Sequence, residues 1–254
     1  MLGAAASVWP SISAAATDTT APTVFSPVVR FRPLVSFIEN AWVSITIVGR
    51  DAGSGMTATP DWAVSRNGGP FRHFTPPSTT VTWSEVSGGV PHKAAVVAFR
   101  TLALDGTYRF ANRVFDRAGN ASRWIYGPTI SPRLIQESAT NIVYSAGWAR
   151  VSDRSWSGLT AKESAVAGAK ATMRVSARAV AWIARQGEDK GEAEIRIDGV
   201  LVATVNLYRV QPPLSRPLMF TKTWSTAGLH TIQITVVGTP GHPVVDIDGF
   251  LVLR

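Results

Sequence analysis

Apolar and polar residues alternate along two stretches of the C-terminal half. They do so from Ala193 to Ile197 and again from His230 to Val236. A period of two sends successive side chains to opposite faces, so one face is dry and the other wet. Asp198 and Gly199 separate the first stretch from a second strand-like run, Leu201 to Tyr208. A two-residue Asp-Gly link between strands selects a tight hairpin, because both positions must take positive φ. These features predict antiparallel sheet and leave little room for helix.

The chain has 254 residues, enough for one large or two ordinary domains. Halves of about 120 residues bury a core without covalent staples. There are no cysteines, which excludes a disulfide framework, a thiolate metal site and a cysteine nucleophile. The net charge of +8 is spread over both halves, and basic residues alternate with apolar ones, as in Arg109, Ala111 and Arg113. This reads as a solvated sheet face. Its sharper alternative is attraction to an anionic surface such as an acidic cell-wall polymer. Nucleic-acid binding is not expected, since it calls for charge concentrated on one face or tail.

Three segments follow from the punctuation. Residues 1–17 carry no charged side chain and hold Ala14-Ala15-Ala16, which reads as the remnant of a signal peptide or as a docking arm. Pro10 breaks the run, so no membrane span is expected. Residues 18–131 begin with Asp18-Thr-Thr-Ala-Pro22, a linker. Expected strands then lie at Trp42–Val48, Ala63–Ser65, Ala94–Leu104, Thr107–Phe115 and from Trp124. Turn clusters fall at Asp51-Ala-Gly-Ser-Gly55, Asn67-Gly68-Gly69 and Asp116-Arg-Ala-Gly-Asn120. Ser131-Pro132 marks the boundary. In residues 132–254 the strands are expected at 171–175, 180–184, 193–197, 201–208, 218–224, 230–237 and 244–253, with a turn at Ser225-Thr-Ala-Gly228. The fold class is therefore all-β, two antiparallel β-sandwiches in tandem.

Residues 18–131 resemble bacterial immunoglobulin-like or fibronectin-type domains. The likeness rests on Asp18-Thr-Thr-Ala-Pro22, Gly106-Thr-Tyr108 and Asp116-Arg-Ala-Gly-Asn-Ala-Ser122. It implies that the Tyr108 phenol bonds to backbone upstream. Residues 132–254 resemble galactose-binding-like jelly rolls, a fold shared by many carbohydrate-binding modules. The matching residues are Trp156-Ser-Gly158, Val180-Ala-Trp182-Ile183, Ile197-Asp-Gly199, Val205-Asn-Leu-Tyr208, Gly228-Leu-His-Thr-Ile232 and Val245-Asp-Ile-Asp-Gly-Phe250. The resemblance implies a secreted or cell-surface bacterial protein whose jelly roll binds a glycan or cell-wall polysaccharide, with the first domain as spacer. A structural subunit that assembles with itself or with other surface proteins is the alternative. An accessory region of a larger hydrolase is a second.

Sugar recognition needs flat apolar faces and a few placed polar groups. The candidates are Trp156, Tyr208 and Trp224 as platforms, with Arg185 and Arg209 as polar partners. Trp182 and His230 lie in apolar stripes and read as core. Asp246 and Asp248 are weak candidates for calcium, the only cofactor considered, and otherwise read as strand-end acids bonded to arginine. No nucleophile elbow, zinc-protease motif, phosphate loop or dinucleotide fingerprint occurs. The expectation is a chain that is not an enzyme and has no catalytic residues.

Overall fold

A computed structural model describes residues 18–210, 212 and 216–254. The readings of residues 1–17 lie outside them. Nine strands occupy the first half: β1 (Thr23–Val24), β2 (Val28–Phe31), β3 (Asn40–Arg50), β4 (Asp61–Arg66), β5 (Arg72–His73), β6 (Thr79–Ser87), β7 (Val90–Ala103), β8 (Tyr108–Arg113) and β9 (Ile125–Ile130). Ten more follow: β10 (Pro132–Gln136), β11 (Ile142–Tyr144), β12 (Ala149–Ser152), β13 (Thr160–Ser164), β14 (Lys170–Ile183), β15 (Glu192–Ile197), β16 (Val200–Asn206), β17 (Leu218–Val236), β18 (Val245–Ile247) and β19 (Gly249–Leu253). One short 3-10 turn, Ser157–Leu159, interrupts them. The all-β class holds, and every strand-to-strand ladder is antiparallel.

The strands form four sheets. One runs β1-β3-β7-β6 with β2 added on β3, and a second runs β5-β4-β8-β9. The third runs β10-β19-β14-β17-β15-β16 with β11 on β14, and the fourth runs β12-β13-β18. Among the described residues no ladder joins the first two sheets to the last two. One isolated bridge, Ser36 to Pro217, crosses.

Alternation explains the packing. In β3, Ala41, Val43, Ile45 and Ile47 are buried, and they meet Val96, Ala98, Phe110 and Trp62 in one core. In β14 every residue from Ala179 to Ile183 is buried, because that strand is covered on both faces. Val180 and Trp182 point into a second core with Ile195, Ile232, Ile234, Phe250 and Val252. Ala179, Ala181 and Ile183 point the other way and, with Leu218, Leu251 and Leu253, continue the first core. β2 packs on β14 and β17 at this seam. The alanines allow close approach, and each large side chain buried there is worth about 1.5–3 kcal/mol.

The Asp198-Gly199 hairpin is present, with φ of 52° and 85° at the two residues. Tyr108 donates its phenol proton to the Ala103 carbonyl at 3.1 Å, five residues upstream. Two boundaries differ from the alternation reading. The expected turn at Ser225–Gly228 is instead part of β17, which runs unbroken for 19 residues. Ala177 pairs with Gly228 and Ala179 with Thr223, so residues 224–227 bulge out opposite Arg178 alone. Arg178 holds the bulge by donating to the Ser225 carbonyl. The extra residues loop out of the ladder rather than ending the strand. The expected strand 244–253 splits at Asp248 into β18 and β19, which belong to different sheets.

Candidate functional site

Three connections meet at one end of the second pair of sheets. Residues 184–191 link β14 to β15, residues 207–217 link β16 to β17, and residues 237–244 link β17 to β18. Backbone bonds tie them together. Gly187 donates to Leu207 O at 3.2 Å, and Arg209 donates to Gly187 O at 3.0 Å. Gly191 donates to Val244 O at 2.9 Å, and Leu207 donates to Gly191 O at 3.0 Å. A Cβ at Gly191 would stand 1.9 Å from the His242 carbonyl oxygen, so only glycine lets these loops cross.

Side chains on these loops make separate local contacts around the crossing. The Tyr208 ring is 39 % exposed and lies 4.3 Å from the His242 ring, centroid to centroid. His242 is oriented through Nδ1, 2.7 Å from the Glu188 carbonyl. Arg209 donates its Nε proton to the Pro212 carbonyl at 3.0 Å, which fixes the guanidinium beside the loop. Arg185 sets its guanidinium 5.8 Å from the centre of the Trp156 ring and donates its backbone N–H to Asp246 Oδ1 at 2.9 Å. The crossing thus carries one aromatic pair, Tyr208 with His242, on loops that also carry Arg185 and Arg209.

Under it lies a buried charged cluster. Lys190 bonds to Glu163 Oε1 at 2.5 Å and lies 3.3 Å from Asp246 Oδ2. Its ammonium also stands 5.8 Å from the Trp156 ring centre. Burial lowers the lysine pKa, but Asp246, Glu163 and Asp189 together outweigh it and hold the pKa above its ordinary value. Burial pushes the Asp246 carboxyl up to about 7 despite Lys190, and the Asp248 carboxyl up to about 8 despite the Ser157 N–H that it accepts.

Of the sequence candidates, Arg185, Tyr208 and Arg209 lie on two connections bonded at Gly187, with the Arg185 guanidinium turned to Trp156 and that of Arg209 to the Pro212 carbonyl. Trp156 sits beside them but is 4 % exposed, so it braces the loops from beneath instead of offering a platform. Trp224 is elsewhere. It lies on the β17 bulge, stacked on His230 with centroids 3.7 Å apart, and lines a cleft of about 230 Å³ with Pro27, Pro128 and Arg178 between the two halves. Asp246 takes Lys190 as its counter-ion and Asp248 takes a backbone N–H, so the two acids face different partners. Sequence reasoning missed Lys190 and Glu163, because pairing across β13 and the β14–β15 loop leaves no local signal. It also missed His242, whose place in a proline-flanked loop says nothing of Tyr208.

A second aromatic surface lies on the outer face of the sheet formed by β4, β5, β8 and β9. Phe71 meets Tyr126 edge-on at 5.0 Å, and His73 meets Trp124 at 5.3 Å. Arg109 covers Tyr126 and Arg113 covers Trp124. Arginines already occupy these faces.

No protein-family model matches the chain. It is 30% identical over 140 residues to the A type blood N-acetyl-alpha-D-galactosamine deacetylase of Flavonifractor plautii. Those residues are 54% of this chain and 17% of that protein, so the match spans less than a fifth of the relative's length. An exo-beta-1,3-galactanase from Phanerochaete chrysosporium, solved with beta-1,3-galactotriose, is a distant structural neighbour. It shows a TM-score of 0.31 and 11% identity, over 84% of this chain and 82% of that one. A likeness at that level carries no argument about function. The deacetylase match does correct one expectation. A chain that is not an enzyme was expected from the missing catalytic motifs, whereas the relative that matches 140 of its residues is named as an enzyme. Missing motifs are a weak ground for that expectation, because such motifs report only a few chemistries.

Proposed function

We propose that the chain is the carbohydrate-handling region of a glycan-active enzyme, and that it holds a glycan bearing N-acetylgalactosamine at the loop end built by Arg185, Tyr208, Arg209 and His242. In this reading residues 18–131 are an immunoglobulin-like spacer, residues 132–254 are a jelly roll, and the protein works outside the cell. The observation that carries the reading is the Tyr208–His242 ring pair on loops cross-braced at Gly191, loops that also carry Arg185 and Arg209. The exposed ring suits the C–H face of a pyranose, and the arginines suit its hydroxyl and acetamido oxygens. The buried Lys190 cluster keeps the loops in place before ligand arrives, which lowers the cost of ordering them on binding. The name of the relative supports the sugar class.

Titration calorimetry with N-acetylgalactosamine-terminated oligosaccharides tests this. Saturable binding that Tyr208→Ala abolishes is expected. Equal, unsaturated heats for both proteins would count against it.

A further inference from the structure

Three turns that stand far apart in sequence meet in the fold. Asp18 precedes β1, Asp51 follows β3 and Asp116 follows β8. Each offers one carboxylate oxygen to a group whose members all lie within 4.8 Å of one another. Asp51 and Asp116 are buried, at 3% and 1% exposure.

Loop hydrogen bonds account for most of these oxygens. Asp51 Oδ2 accepts the N–H groups of Gly53 and Gly55, at 3.0 and 2.7 Å. Asp18 Oδ2 accepts Ser54 N–H at 2.7 Å, and its Oδ1 accepts Thr20 N–H at 2.9 Å. Asp116 Oδ1 accepts Asn120 N–H and its Oδ2 accepts the Asn120 amide, both at 2.7 Å. One oxygen is left over. Asp51 Oδ1 is fully buried and accepts nothing. Among the described residues, no lysine, arginine or histidine side chain forms an ion pair with any of the three acids. A buried carboxylate oxygen beside two more carboxylates, with no cation, is an arrangement that proteins do not leave uncompensated.

We infer that Asp18, Asp51 and Asp116 bind a calcium ion that fastens the segment before β1 to the β3–β4 and β8–β9 loops. The donors are oxygens only, which selects a hard cation over zinc or copper. They come from three separate turns, and calcium accepts six to eight oxygens in irregular geometry, whereas magnesium holds to a near-ideal octahedron with few carboxylates. The N–H groups of Ser54 and Thr20 keep the Asp18 carboxyl below its ordinary pKa, so it is anionic at neutral pH. The site lies apart from Asp246 and Asp248 and does not rest on the glycan reading.

The test uses the whole chain, freed of metal with a chelator, then titrated with calcium chloride to about 5 mM, a range that covers calcium sites of extracellular modules. One calcium per chain is expected, with a melting temperature raised by roughly 5 °C at saturation. Magnesium chloride should give a much smaller shift. Asp51→Asn, which keeps the side-chain shape, should lose the binding heat and the shift. If that variant does not fold, Asp18→Asn at the less buried position gives the same reading. Asp248→Asn should bind calcium as the parent does. Absence of calcium heat in the parent, an equal response to magnesium, or full binding by the folded Asp51→Asn or Asp18→Asn variant would overturn the inference.

Discussion

The Lys190 ammonium lies 3.3 Å from the Asp246 carboxylate, and both side chains are shut away from solvent under the loop end. Removing one partner of a buried pair leaves the other charge uncompensated, which costs about 3–5 kcal/mol. Lys190→Met is therefore expected to lower stability by about that amount in chemical denaturation. The loss should deepen as pH rises through neutrality, where Asp246 must ionise without its counter-ion. A cost below 1 kcal/mol would show that the pair does not organise the loops.

Asp248 gives a pH dependence of defined sign. Burial raises its carboxyl to about 8, well above the unfolded value. The folded chain then binds the extra proton between about pH 4 and 8. Its contribution is fully present below about pH 4 and is lost as pH rises through 8. Asp248→Asn is neutral at every pH and keeps an oxygen for the Ser157 N–H. Its melting temperature relative to the parent should rise by several degrees between about pH 4.5 and 8.5. A difference that stays flat over this range would contradict the assignment.

Tyr108→Phe tests the bond to the Ala103 carbonyl. The ring stays in the core and only the hydroxyl goes, so a loss of about 1 kcal/mol is expected, with the carbonyl left in want of a donor. Equilibrium unfolding of the two proteins reads this directly.

Gly191→Ala tests the loop crossing. The added methyl meets the His242 carbonyl, a backbone atom that moves only if its loop moves with it. The expected result is displacement of His242 and the residues around it, seen as amide shift changes in loops 184–191 and 237–244, with glycan binding reduced at least tenfold. Unperturbed shifts would show that the loops have more slack than the close approach implies.

Alternation and turns were legible because each is local, whereas the Tyr108 hydroxyl bond was expected from the immunoglobulin-like resemblance. A period of two and an Asp-Gly pair act within a few residues, so β3, β15, β16 and the Asp198 hairpin follow directly. Ser225-Thr-Ala-Gly228 looked like a turn because small polar residues cluster there, but pairing of β17 along β14 and the grip of Arg178 keep the strand whole. That stabilisation comes from a strand some 50 residues away. Trp156 reads as a platform candidate from its polar neighbours, whereas Ser152, Asp153 and Arg154 are exposed while the turn folds the indole inward together with Ser157. Arg185, Tyr208 and Arg209 stand out as candidates because loop aromatics and arginines mark themselves by position, and the structure puts all three on the crossing loops. Lys190, Glu163 and Asp246 were not seen as a unit, because a charged cluster between a loop and two separate strands is a property of topology. The same holds for Asp18, Asp51 and Asp116, each of which reads as an ordinary turn residue.

Glycan binding at the loop end is the central claim, and side-by-side calorimetry of the parent, Tyr208→Ala and Tyr126→Ala with an N-acetylgalactosamine-terminated oligosaccharide tests it most directly. The account predicts saturable binding by the parent and by Tyr126→Ala, and loss of at least tenfold in affinity for Tyr208→Ala with its melting temperature unchanged. Undiminished binding by Tyr208→Ala, or loss only in Tyr126→Ala, would contradict it.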